Sequence, residues 1–198
     1  MSRFLVAFDK FKGTFDAGEV VGAVAAGLRG GGAAAVEMPV ADGGEGTAAA
    51  LLSSLGGEWL TAATEDALSR PVEGRVALLA DGRTAVVEVA EASGMWRLRA
   101  EEMDAVAASS RGTGMLMAAA VEAGADRIIV AAGGSATTDG GAGMLDLIEA
   151  SGWEAEVIVA CDVDIPWERA AEVFGPQKGA SPAQVVDLNR RLDSLALA

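Results

Sequence analysis

The chain has 198 residues, 51 % of them apolar, and a formal net charge of −14. A domain-sized core can be buried, while the acidic balance argues against nucleic acid and against anionic membrane surfaces as partners. There is no His and a single Cys, Cys161, which excludes imidazole catalysis, His-ligated metals and an internal disulfide framework.

Residues 4–8 read as a buried strand and 9–14 as a polar loop. Residues 16–28 read as a helix with Val20, Val21, Val24 and Leu28 at helical spacing, capped by Thr14 or Asp16. Gly30-Gly31-Gly32 breaks the chain, and 36–40 is a second strand that Pro39 places at an edge or a bend. A loop over 42–46 and a helix through Leu55 complete a βαβα pattern, which implies a parallel sheet. Residues 72–79 and 84–89 are strands joined by Asp81-Gly82, a hairpin signal. The hairpin predicts a change of domain near residues 58–65, giving one unit over 1–60 and a second α/β unit over 61–198. Further on, 113–122 is a helix ended at Gly124, 127–132 a buried strand, and a helix starts after Asp139. A strand over 157–160 and an amphipathic helix over 182–195 follow. Met95, Met103, Met115, Met117 and Met144 read as core filling. No apolar run is long enough to span a bilayer, and the chain enters its first strand at once, so a cytoplasmic location is expected.

With no His or Tyr, acid–base work falls to Asp, Glu or Lys, and these collect in loops after strands, where α/β sheets bind ligands. Lys10 and Lys12 precede a helix N-terminus and suit phosphate oxygens. In Asp42-Gly43-Gly44-Glu45-Gly46 the glycines permit close approach of a ligand beside two carboxylates. Gly133, Gly134, Ser135 and Thr137 form a polar loop suited to an anion, with Asp139 as base or metal ligand. Asp162 and Asp164 stand at i and i+2 after a strand and suit Mg²⁺. Lys178 lies in a Gly/Pro loop within reach of a phosphate or carboxylate. Each of these stretches also reads as an ordinary turn. Asp42 and Asp139 both fit a general base, and their roles are not separated.

The order and wording of the loops resemble the type I glycerate kinase family. The matching runs are Asp9-Lys10-Phe11-Lys12-Gly13-Thr14, Pro39 to Thr47, Gly112-Thr113-Gly114, Gly133 to Leu145, Ala160 to Asp164 and Val173 to Ala180. The resemblance implies transfer of a phosphoryl group from ATP to glycerate with Mg²⁺. It also implies two α/β domains, one flavodoxin-like and one restriction-enzyme-like. The chain departs from the pattern: a segment after Leu145 and the C-terminal portion of the family are missing, and Thr138 replaces a usual Asn. Two alternatives to the kinase therefore stand: a non-catalytic metabolite- or phosphate-binding fragment, and a remnant that forms a homodimer.

Overall fold

The computed structural model describes residues 2–11 and 14–197; Lys12, one of the two expected phosphate-binding lysines, lies outside them. Strand β1 (Arg3–Val6) pairs in parallel with β2 (Ala34–Glu37), and α1 (Ala17–Gly30) crosses between them. Asp16 starts α1: its Oδ1 accepts from the Glu19 N–H at 2.7 Å, while Glu19 accepts from the Asp16 N–H at 3.0 Å, a reciprocal cap. Val6, Val21 and Ala25 form the small core of this unit. The second strand ends before Pro39, which cannot continue the ladder.

The remaining strands make one mixed sheet in the order β3-β4-β5-β6-β7. They are β3 (Gly57–Glu65), β4 (Pro71–Leu79), β5 (Thr84–Glu88), β6 (Arg127–Ala131) and β7 (Glu156–Ala160). The hairpin expected at Asp81-Gly82 joins β4 to β5 antiparallel, and β5, β6 and β7 run parallel. Side chains alternate between the two faces. Val76, Ala85, Val87, Ile128 and Val130 face α4 (Arg111–Glu122), with Leu116 and Met117 inserted between them. Ala77, Leu79, Val86 and Ile129 face α2 (Thr47–Leu55). All five residues of β5 are buried. Helix α5 (Ala142–Ser151) packs beside α4, and α3 (Val89–Ser93) leads away from β5. Ala105, Ala171, Leu188 and Leu192 join α6 (Ala170–Phe174) and α7 (Pro182–Ala196) in a satellite cluster.

Strand β3 falls where the sequence reading sets a change of domain. It pairs with β4 over its whole length, Gly57 opposite Leu79 and Glu65 opposite Pro71. The sheets therefore change between β2 and β3, and α2 packs on the second sheet. The division into units at residue 60 stays a proposal.

Candidate active site

Strands β5, β6 and β7 end level, with Glu88 opposite Ala131 and Ala131 opposite Ala160. Carboxyl ends of parallel strands are where an α/β sheet opens to ligands. Here they floor a cleft of about 1670 Å³. Five stretches far apart in sequence contribute to it: Asp9 and Lys10; Asp42 and Gly44 to Gly46; Gly133 to Ser135; Cys161 and Asp162; and Gln177 and Lys178.

Backbone contacts hold these loops together. The Gly133 N–H donates to the Gly43 carbonyl at 3.1 Å, and the Ala132 N–H donates to Ala160 at 3.0 Å. A Cβ on Gly133 would lie 2.6 Å from the Gly44 Cα, and one on Gly43 would lie 2.9 Å from the Ala160 carbonyl. Gly43 also has φ +84°, a region L side chains rarely enter. Close packing of loop on loop thus accounts for Gly43 and Gly133, and the Gly133 N–H is already committed.

Lys10 and Asp42 are paired at 3.3 Å, and the same Asp42 oxygen accepts from the Gly44 N–H at 3.0 Å. Burial pushes the Asp42 carboxyl up, but the Gly44 N–H and the Lys10 ammonium outweigh it and hold the group below its ordinary value.

Lys178 is buried, and its ammonium donates to the Ser135 hydroxyl at 3.0 Å and to the Thr137 carbonyl. Burial brings its pKa down to about 8, partly opposed by the charge of Asp139. Because Ser135 accepts from Lys178, its own O–H is free to donate to a ligand. Thr137 is buried, and only its carbonyl is engaged by Lys178.

Asp139 is not among the residues that line the cleft. One carboxylate oxygen accepts from the Ser110 N–H and the Ser110 hydroxyl, each at 2.7 Å, and the other accepts from the Gly141 N–H at 3.2 Å. It faces a separate hollow beside α7. Of the two expected base candidates, Asp42 thus stands at the cleft, while the Asp139 carboxylate ties the start of α4 to the start of α5. Asp162 lines the cleft; Asp164 does not, and both are exposed. Among the described residues no group of three His, Cys, Asp or Glu side chains gathers as a metal site.

The sequence reading missed Glu88. It is 5 % exposed, lines the cleft, and through Oε1 accepts from the Gly46 N–H at 3.0 Å and the Ala48 N–H at 2.7 Å. Burial pushes its carboxyl above the ordinary value; the two N–H groups pull it down, and the charges of Glu91 and Glu45 push it up again. Its signal in the sequence is a lone carboxylate closing the apolar run Ala85-Val86-Val87. The far wall was missed as well: Arg75 stacks on Trp59 and Arg97 on Trp96, each 4.5 Å from the ring centre, with Glu91 paired to both arginines.

The sequence model of the glycerate kinase family matches residues 4–152 and 147–198. The chain belongs to that family. It is 35 % identical to a glycerate kinase of Bacillus subtilis (strain 168) and 37 % identical to a glycerate 2-kinase of Escherichia coli (strain K12), in each case over 98 % of this chain and 60 % of the relative. A crystal structure described as glycerate kinase 2 from Salmonella typhimurium LT2 superposes with a TM-score of 0.84 at 33 % identity, covering 99 % of this chain and 63 % of that one. The chain thus spans about 60 % of the length of the relatives it matches. The two matched pieces of the family meet on α5, and the alignments run to 229 positions, more than this chain has. An internal stretch of the relatives is therefore absent here, as the short passage from α5 to β7 indicates. No helix among the described residues is long and apolar enough to cross a membrane.

Proposed function

We propose that the whole protein transfers the γ-phosphoryl group of ATP to an alcohol oxygen of glycerate, giving phosphoglycerate and ADP, in the cytoplasm. The observation that carries this reading is the cleft into which five of the six runs that carry the family resemblance converge. Phosphoryl transfer is mainly positioning and neutralisation of charge. Lys10 and Lys178 supply the positive charge near the Gly-rich loops, with Lys10 held by Asp42 and Lys178 by Ser135. The Ser135 hydroxyl suits the carboxylate of glycerate, and Gly44, Glu45 and Gly134 line the space beside it.

Mg²⁺ fits the donors present. It keeps most of its water and takes one or two protein carboxylates together with substrate phosphates, so a cage of three is not required. Asp162, a hard oxygen donor at the cleft, would hold it, with Asp164 two residues on. The ion would neutralise phosphate charge in a cleft that also carries Asp9, Asp42, Glu45, Glu88 and Glu91.

The test is ADP release by the full-length protein with ATP and Mg²⁺, with and without glycerate. Glycerate-dependent ADP release that stops in excess EDTA supports the reading; none at millimolar glycerate overturns it. The shortened span favours a second reading, binding without turnover. Calorimetry showing that glycerate binds while no ADP forms would select it.

A further inference from the structure

We propose that Glu88 is the catalytic base of this site, its free carboxylate oxygen accepting the proton of the substrate alcohol. This rests on the kinase reading above and adds to it a residue outside the loops that carry the family resemblance.

Four observations lead to Glu88. It closes β5, the middle strand of five, and stands level with the roots of the Gly133–Ser135 and Cys161–Asp162 loops. It is 95 % buried, yet it lines the cleft. Oε1 is fixed by the N–H groups of Gly46 and Ala48, while among the described residues no donor approaches Oε2. A carboxylate fixed at one oxygen and open at the other is oriented before substrate arrives, as a base must be. The other carboxylates are less suited. Asp42 is likewise fixed through one oxygen, but there burial is outweighed by the Gly44 N–H and the Lys10 ammonium, which hold the group below its ordinary value and make it a weaker base. Asp139 is turned toward Ser110 and away from the cleft. Burial also raises the basicity of Glu88, in the direction useful to a base working near neutral pH.

In the step assigned to it, the alcohol O–H bond breaks and its proton passes to Oε2 of Glu88. The alcohol oxygen forms a bond to the γ-phosphorus as the bond from that phosphorus to the β,γ-bridging oxygen breaks. ADP leaves with the electron pair of that bond, and the proton on Glu88 returns to solvent after product release.

Glu88→Gln is the informative variant, because an amide oxygen still accepts from Gly46 and Ala48 while the base is gone. The measurements are kcat, KM for glycerate and melting temperature, in the full-length protein. The result expected is a fall in kcat of about 10²–10⁴-fold, with KM for glycerate changed less than threefold and melting within a few degrees of wild type. Glu88→Ala, which also strips the acceptor from α2, melts lower, and formate restores part of its turnover. A Glu88→Gln protein within threefold of wild-type kcat overturns the assignment while leaving the kinase reading intact. A Glu88→Gln protein that loses melting temperature and turnover together makes Glu88 a fastener of α2 and overturns it too. A wild-type protein without glycerate-dependent turnover overturns both.

Discussion

The two sheets of this molecule are built from similar residues and are finished to different degrees. In the five-stranded sheet, β5 is covered on both faces, by α4 and by α2. In the two-stranded sheet, α1 covers one side, and Phe4, Leu5, Val36 and Met38 remain exposed, Leu5 at 63 %. A two-stranded ribbon is marginal by itself and gains here from α1 on one face alone. The larger sheet is therefore expected to supply most of the stability, while the smaller unit carries the loop with Lys10 and leads into Asp42.

That contrast can be broken most sharply in the larger core. Leu116→Ala removes a fully buried side chain from α4 and is expected to cost about 2–5 kcal/mol, read from urea unfolding. A loss below 1 kcal/mol would mean that this core is not what holds the protein together.

Lys178 sharpens the comparison through pH. Its folded pKa is about 8 against an ordinary value of 10.5, so the cost of burying its charge is fully present below pH 8. Between pH 8 and 10.5 the folded state has released the proton while the unfolded state retains it, so stability rises with pH. Relative to a Lys178→Met protein, the wild type should gain up to about 3 kcal/mol across that window. A flat difference would show that the ammonium is well solvated.

Asp139→Asn tests whether that carboxylate belongs to folding. Losing part of its hold on Ser110 should cost about 1–3 kcal/mol, seen as a lower melting temperature, while KM for glycerate stays near wild type. A large kinetic effect without loss of stability would return Asp139 to the chemistry. The smallest effect is expected in the smaller sheet: Leu5→Ala should change stability by less than about 0.5 kcal/mol, and a larger loss would reveal a covered β1.

Much of the candidate cleft was legible because its lining residues are unusual in composition. Paired glycines with carboxylates or lysines after a strand mark loops, and the loops meet in one cleft. Asp42 and Asp139 look alike in sequence, each flanked by glycines. What separates them is Ser110, which lies 29 residues before Asp139 and claims it; no local pattern records that. Glu88 was missed for the opposite reason, since one Glu ending a valine-rich strand looks ordinary until β6 and β7 line up beside it. Strand β3 was missed because the hairpin after it drew the boundary, although its inward Leu60, Ala62 and Thr64 alternate with outward Trp59, Thr61 and Ala63. The parallel pairing of β1 with β2 followed directly from the βαβα spacing, while residue type left Thr14 and Asp16 both open as the cap of α1, and the structure uses Asp16.

The contact of Gly43 and Gly44 with Gly133 and Ala160 has a consequence for how this protein tolerates change. At Gly43 and Gly133, about ninety positions apart, the backbone packed against each leaves no room for a methyl group. A side chain added at either glycine is therefore felt in both loops, and its effects do not add to those of a change in the other. In a saturation library these few positions should behave as one locus, and a second-site suppressor of a substitution at Gly133 should be sought around Gly44, rather than among the charged residues of the cleft.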